Sequence, residues 1–157
     1  MGYGFPSAIG AQLAAPESLV IAVVGDGGFQ MTLYELSTIM LYKLPVKIVI
    51  LDNKYLGMVR QWQELFFDNR LSGVDLDHSP DFVKLAQSYG VKGVRIQNAR
   101  ACRRKLREAF EYPGPVLIHA EVIKEDNVFP MIPAGKSAEA MILERPDTPM
   151  EKPTGST

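Results

Sequence analysis

The sequence predicts an α/β fold, a parallel sheet with helices on both faces. Short apolar runs alternate along the chain with segments of helical periodicity. The first two runs, residues 19–24 and 46–51, are rich in β-branched residues, which is typical of strands buried on both faces. Because a strand–helix–strand unit places its two strands parallel, this alternation favours a parallel sheet.

Helix and strand signals follow one another through the first part of the chain. Residues 6–15 are alanine-rich with helical spacing, and Pro16 marks the end of that helix. Residues 19–24 form the first predicted strand. Thr32 and Glu35, three positions apart, match a capping box at the start of a second helix.

The second part of the chain repeats the alternation. The remaining predicted elements are a strand (46–51), two helices (58–67 and 81–89), a strand (91–96), a helix (99–111) and a strand (116–122). Ser79 and Asn98 are suited to cap the helices that follow them. From Lys124 onward repeated prolines interrupt the periodicity. We therefore expect one domain over residues 1–135 and a tail over 136–157 that is partly disordered.

Composition excludes several classes of function. Seventeen basic and eighteen acidic residues give a net charge of −1, which offers no general attraction for nucleic acid or for an anionic membrane. The single cysteine, Cys102, excludes an internal disulfide and a cysteine metal cluster. The chain has no apolar run long enough to span a bilayer and no signal peptide pattern, so we expect a cytoplasmic protein.

Polar turns follow the first two predicted strands. Gly25-Asp26-Gly27-Gly28 ends the first strand, and Asn53 comes just after the second, 27 positions beyond Asp26. The carboxyl ends of parallel strands meet at one edge of a sheet, where ligands bind. Glycine N–H groups can approach an anion closely, and carboxylate, amide and backbone oxygens, including that of Tyr55, suit Mg²⁺. The sequence therefore predicts a metal–diphosphate site.

Simpler explanations remain open for each of these features. A Gly-Asp-Gly sequence is often only a tight turn, and it matches neither the dinucleotide-binding glycine spacing nor a P-loop. Two further residues also have simple explanations: taken by itself, Trp62 is better explained as a core aromatic residue of its helix, and Met31 is a plausible core residue. The separation of Asp26 and Asn53 by one helix and one strand is what favours the metal site.

Particular segments resemble a known family. Gly25-Asp26-Gly27 followed by Asn53 is similar to the thiamine diphosphate motif of thiamine-dependent enzymes. Four other segments resemble the large catalytic subunit of acetolactate synthase (acetohydroxyacid synthase): residues 1–11, 56–63, 80–86 and 127–133. The resemblance extends to about Gly135 and implies the diphosphate-binding domain at the C-terminus of that subunit.

The resemblance also implies roles for single residues. Asp26 and Asn53 would bind Mg²⁺ through their side chains and Tyr55 through its carbonyl. Trp62 would shape the pocket of the second substrate and favour 2-ketobutyrate. The residues expected at the cofactor are Gly25, Asp26, Gly27, Gly28, Met31, Asn53, Tyr55, Gly57 and Met58, with Met1 as a further match near the thiamine ring.

Three departures qualify the match. Asp52 stands where many members have asparagine, which we expect to be tolerated because it only precedes the ligand. Gly28 stands where serine is common. The resemblance implies that the glutamate that activates the cofactor belongs to another domain of the full subunit, and Glu35 is better explained as a helix cap. We therefore expect no catalytic residue in this chain and no activity from it alone.

The implied reaction decarboxylates pyruvate and condenses the product with pyruvate or 2-ketobutyrate, in valine, leucine and isoleucine biosynthesis. By resemblance the whole subunit also binds FAD through another domain, forms a homodimer or homotetramer, and can associate with a regulatory small subunit. The alternatives are another thiamine-dependent 2-keto acid decarboxylase or carboligase, and a non-catalytic module that binds cofactor or partner subunits.

Overall fold

A computed structural model describes residues 1–146 of the chain. Within that range the helices are α1 (Gly4–Ala14), α2 (Asp26–Gln30), α3 (Leu36–Leu41), α4 (Gly57–Phe66), α5 (Phe82–Ser88) and α6 (Ala99–Glu111). The strands are β1 (Ile21–Gly25), β2 (Lys47–Asp52), β3 (Lys92–Ile96) and β4 (Val116–Glu121). Two 3₁₀ turns lie at Leu33–Glu35 and Ala138–Ala140.

The four strands form one parallel sheet in the order β1-β2-β4-β3. In the register of the sheet, Val24 lies opposite Ile50, and Ile50 lies opposite His119. β2 is therefore an inner strand whose carboxyl end is flanked by the ends of β1 and β4. The predicted parallel α/β sheet is confirmed.

Helices cover both faces of the sheet, but unequally. On one face, residues of α1, α2, α3 and α5 join the strands in a large apolar cluster. Phe5, Phe29 and Phe82 are fully buried there, with ring centroids 5.5 Å apart for the first pair and 5.9 Å for the second. Burying one such side chain contributes roughly 1.5–3 kcal/mol. On the other face α6 packs over β3 and β4 in a smaller cluster.

The prediction that the first strand is buried on both faces is wrong. In β1, Ile21 is 39% exposed and Val23 is 61% exposed. β1 lies at one edge of the sheet, whereas α6 packs over β3 and β4 towards the other edge. This helix therefore leaves one face of β1 uncovered. The apolar run correctly marked a strand, but the number of covered faces depends on where the helices pack.

The predicted capping box at Thr32 is also wrong. Thr32 Oγ1 is buried and has no hydrogen-bond partner among the described residues, while the Glu35 carboxylate accepts from Thr38 Oγ1 at 2.6 Å. The chain enters a 3₁₀ turn before α3, so the Glu35 N–H donates to the Thr32 carbonyl (3.0 Å) instead of to its side chain.

The two other predicted caps differ in outcome. Asn98 caps α6 as expected, because its side-chain oxygen accepts from the Ala101 N–H at 3.0 Å. Ser79 does not cap α5. The Asp81 carboxylate accepts from the first N–H groups of that helix, and Ser79 Oγ instead accepts from Gln30 Nε2 at 3.1 Å. Asp81, which lies directly before α5, therefore caps this helix in place of Ser79.

The chain divides into two compact units. The first, Met1–Lys54 with Asp77–Val122, contains the sheet. Among the described residues, the second contains Tyr55–Leu76 and residues 123–146. The predicted boundary at residue 135 stays a prediction, and the predicted disorder of the last residues falls outside the described range. Among residues 1–146, no helix combines the length and apolar character needed to cross a membrane.

Gly93→Ala should destabilise the first unit. A Cβ at this position would lie 2.9 Å from the carbonyl oxygen and 3.1 Å from the Cα of Val83, so α5 would have to move away from β3. We expect the free energy of unfolding in urea to fall by about 1–3 kcal/mol. Gly10→Ala is the matched control, because a Cβ there meets no atom within 4 Å and alanine favours α1 by about 0.5–1 kcal/mol. Losses of similar size at both positions would contradict the close-approach explanation.

Candidate functional site

The Asp26 carboxylate lies buried at the carboxyl end of the sheet. Gly25 ends β1 in an extended conformation (φ −77°, ψ 159°), and Asp26 begins α2 directly after it. The residue is only 1% exposed. Its Oδ2 atom has no hydrogen-bond partner among the described residues. A buried, unpaired carboxylate oxygen is costly unless a proton or a cation accompanies it.

Asp52, the last residue of β2, is a second buried carboxylate. His119 Nε2 lies 2.6 Å from Asp52 Oδ2. Lys54 Nζ donates to the same oxygen at 2.7 Å, and the Lys54 backbone N–H donates to Oδ1 at 3.2 Å. Asp52 is therefore held from two sides by groups that favour its charged form.

The register of the sheet explains why these groups meet. His119 lies opposite Ile50, so Asp52, two residues further along β2, is its diagonal neighbour on the same face. Gly25 lies opposite Leu51, which brings Asp26 beside Asp52. The cluster thus depends on three neighbouring strands ending together.

The two carboxyl groups have opposite pKa shifts. Burial, followed by a hydrogen bond and charge repulsion from Asp52, raises the pKa of Asp26 from 3.8 to about 6. Burial opposes ionisation of Asp52 as well, but hydrogen bonds from Lys54, His119 and Asp26 lower its pKa overall. Asp52 therefore keeps the negative charge, and Asp26 is the group that takes up a proton.

This arrangement fits a divalent cation at Asp26. Two ionised carboxylates beside one lysine ammonium leave a negative charge to be neutralised, and a metal ion would replace the proton on Asp26. No group of three or more His, Cys, Asp or Glu side chains able to hold a metal occurs in residues 1–146. Mg²⁺ is commonly bound by one or two protein carboxylates together with neutral oxygens and phosphate, and Asp26 would supply such a carboxylate.

The space beside two of these glycines is open. A Cβ on Gly25 would meet no atom within 4 Å, and one on Gly28 would come no closer than 4.0 Å to the backbone nitrogen of Gly2. We expected residues 25–28 to form a turn between the first strand and the next helix, and the structure does not show such a turn. Gly27 and Gly28 lie in α2, because the chain turns directly from β1 into that helix.

The predicted site residues fall in both compact units. The first unit contains Gly25, Asp26, Gly27, Gly28, Met31 and Asn53, and the second contains Tyr55, Gly57, Met58 and Trp62. Met1, Met31 and Met58 are each more than half exposed. The structure brings Asp26 close to Asp52, the direct neighbour of Asn53.

Within the second unit, Tyr55 and Trp62 have different surroundings. The Tyr55 ring lies 4.9 Å from the guanidinium of Arg60 and 4.8 Å from Lys124 Nζ, measured to the ring centroid. The Trp62 ring packs against Phe66 with centroids 5.0 Å apart. This packing is what a core aromatic residue would show, and the role of Trp62 in a substrate pocket stays a prediction.

Sequence reasoning missed His119 and underestimated Asp52. Asp52 was expected to be a tolerated replacement, yet it accepts from both His119 and Lys54 in the buried cluster. The signal for His119 was present, since it is a polar residue near the carboxyl end of an otherwise apolar strand run. Its partner lies 67 positions away, so the pairing required the strand register.

Comparisons with known proteins identify relatives of the chain in sequence and in structure. The profile of the family described as "Thiamine pyrophosphate enzyme, C-terminal TPP binding domain" matches residues 1–120. The chain is 48% identical over 143 residues to the acetolactate synthase large subunit of Porphyra purpurea, covering 90% of this chain and 24% of that protein. It is 43% identical over 142 residues to the acetolactate synthase isozyme 2 large subunit of Escherichia coli, covering 90% and 26%.

A solved structure shows the same fold. The thiamine diphosphate-dependent 4-hydroxybenzoylformate decarboxylase of Rhodococcus jostii RHA1 superposes with a TM-score of 0.73 at 34% identity, over 80% of this chain and 24% of that one. The chain thus spans about a quarter of the length of the relatives that it matches.

Asp26→Asn should change how stability depends on pH in the absence of metal. Because the pKa of Asp26 is raised to about 6, the folded state holds this proton more tightly than the unfolded state does. The resulting stability is complete below about pH 4 and is lost as the pH rises through 6, a difference of about 3 kcal/mol. In EDTA, urea unfolding between pH 4 and 7 should show this loss in the parent chain and not in Asp26→Asn. Parallel pH profiles for the two proteins would refute the assignment.

Proposed function

Because the chain belongs to the family of C-terminal TPP-binding domains of thiamine pyrophosphate enzymes, we propose that it is the cofactor-binding part of an acetolactate synthase large subunit. One observation carries the metal–diphosphate role: the buried Asp26 carboxylate has an unpartnered oxygen beside a second buried carboxylate. Identity of 43–48% to acetolactate synthase large subunits over 90% of the chain supports the choice of enzyme.

The residues proposed to hold the cofactor follow from that role. Asp26 and Asn53 would bind Mg²⁺ through side-chain oxygens, and Tyr55 through its carbonyl. The glycines at positions 25, 27 and 28, with Gly57 and Met58, would line the diphosphate, and Met31 would lie near the thiamine ring. Thiamine diphosphate supplies the electron sink for cleaving and forming bonds at a 2-keto carbon.

The whole enzyme would act on pyruvate and a second 2-keto acid to form 2-acetolactate or 2-aceto-2-hydroxybutyrate. Trp62 would contact the second substrate. FAD, the activating glutamate, a homo-oligomeric assembly and a regulatory small subunit belong to the whole protein in this proposal. The proposed location is the cytoplasm, although one relative, 47% identical, is named as a mitochondrial catalytic subunit of Saccharomyces cerevisiae.

The rival within the family is a decarboxylase that releases an aldehyde and forms no new carbon–carbon bond. The structural match to a 4-hydroxybenzoylformate decarboxylase at 34% identity makes this rival specific. The two enzymes would differ in the product formed from pyruvate, so product identification distinguishes them.

Asp26→Ala should abolish Mg²⁺-dependent binding of thiamine diphosphate. The test uses a hybrid in which this chain replaces the segment that it matches in the Escherichia coli isozyme 2 large subunit. We expect calorimetry to show a loss of affinity of about a hundredfold or more, since the one negatively charged side chain proposed as a metal ligand is removed. Asp68→Ala is the control, because this exposed carboxylate forms an ion pair with Arg70 at 3.2 Å and is not among the residues proposed to bind the metal or the cofactor. Unchanged affinity in Asp26→Ala would exclude Asp26 as a ligand.

The same hybrid tests the reaction. It should convert pyruvate into 2-acetolactate, detected by mass spectrometry, whereas this chain alone should consume no pyruvate because the activating acid is elsewhere. Acetaldehyde as the main product would favour the decarboxylase.

In the hybrid, Trp62→Leu should reduce the preference for 2-ketobutyrate over pyruvate several-fold, and an unchanged preference would remove Trp62 from the pocket.

A further inference from the structure

We propose that His119 is a positioning residue for the Mg²⁺–diphosphate site, acting through the Asp52 carboxylate. This inference rests on the proposed function, because it concerns the metal that Asp26 and Asn53 would hold. His119 itself would touch neither metal nor cofactor. It would fix the Asp52 carboxylate, which lies beside Asp26 and directly precedes Asn53 in the chain.

His119 is rigidly placed inside the first compact unit. Its side chain is 3% exposed, and its ring packs edge-on against Phe82 with centroids 5.3 Å apart. The Phe82 ring is itself part of the apolar cluster between α5 and the sheet. The histidine therefore presents Nε2 to Asp52 from a surface that cannot easily shift.

The hydrogen-bond pattern identifies His119 as a donor. Nδ1 is buried and has no partner among the described residues, whereas Nε2 lies 2.6 Å from a carboxylate oxygen of Asp52. A bare nitrogen lone pair is less costly to bury unpaired than an N–H group that has lost its acceptor. The proton is therefore on Nε2, and it is donated to Asp52.

Asp52 transmits this constraint to both proposed ligands. Its Oδ1 atom accepts from the Lys54 backbone N–H and so closes a turn around Asn53. Lys54 adopts a left-handed conformation (φ 61°), which costs energy for a side chain with a Cβ and needs such a restraint. The Asp52 carboxyl group also lies beside that of Asp26, the other proposed ligand. One carboxylate thus closes the Asn53 turn and lies against the Asp26 side chain.

The expected size of the effect follows from comparable sites. Side chains that orient metal ligands without touching the metal typically change metal affinity 10–100-fold when they are removed. Lys54 would still hold Asp52 in the absence of His119, so the lower end of that range is appropriate. The loss should appear as a higher Mg²⁺ requirement, which saturating Mg²⁺ overcomes.

The experiment uses the hybrid described above and titrates Mg²⁺ at a fixed thiamine diphosphate concentration by calorimetry. His119→Leu should raise the half-saturating Mg²⁺ concentration about tenfold. His119→Gln, which keeps a side-chain N–H donor of similar reach, should stay within about threefold of the parent. Melting temperatures measured in EDTA report the purely structural effect of each change.

The outcomes separate this inference from the proposed function. No Mg²⁺-dependent binding by the unsubstituted hybrid would reject the metal site itself. Binding by the parent and equally tight binding by His119→Leu would reject only the role of His119, even if the melting temperature falls.

A second comparison holds if His119→Leu folds poorly. His119→Phe keeps a ring against Phe82 but has no N–H donor, and it should raise the half-saturating Mg²⁺ concentration about tenfold in the parent background. In an Asp52→Asn background the same change should add less than twofold, because the charged acceptor is already gone. An equally large increase in both backgrounds would show that the effect does not pass through Asp52 and would overturn the inference.

Discussion

Two carboxylates buried side by side, Asp26 and Asp52, are the constraint on which the site depends. Burial and mutual repulsion both oppose the ionisation of the two groups together. The surroundings of the two carboxyl groups differ. Asp52 receives donors from Lys54 and His119 and stays charged. Asp26 keeps one unpartnered oxygen and a raised pKa. Burying two carboxylates side by side costs free energy, but the negative charge that they carry attracts a cation.

The sheet order makes that pair possible. β2 lies between β1 and β4, so the residue ending β2 can meet a side chain from each neighbour. The apolar core and the polar cluster also share their supports. Phe29 anchors α2 three residues after Asp26, and Phe82 packs against both Phe29 and His119. Packing energy from the aromatic residues therefore offsets the cost of holding charged groups in place.

The family of the chain suggests a role for the two buried carboxylates. The chain spans about a quarter of its acetolactate synthase relatives, and the family profile that it matches describes a TPP-binding domain. A metal–diphosphate clamp anchors a cofactor without performing chemistry. In the proposed function, Asp26 and Asn53 would bind the metal, and activation of the cofactor would belong to another part of the whole protein.

The sequence alone determined the parallel α/β class, the order of the four strands and of the helices other than α2 along the chain, the Asn98 cap and the resemblance that singled out Asp26 and Asn53. These features follow from local patterns: apolar runs, helical spacing and short motifs. Only the tertiary structure decided which face of β1 is covered, and that Asp52 pairs with His119 across 67 positions. Burial and carboxylate–histidine pairing depend on strand register and helix placement, which no short stretch of sequence encodes.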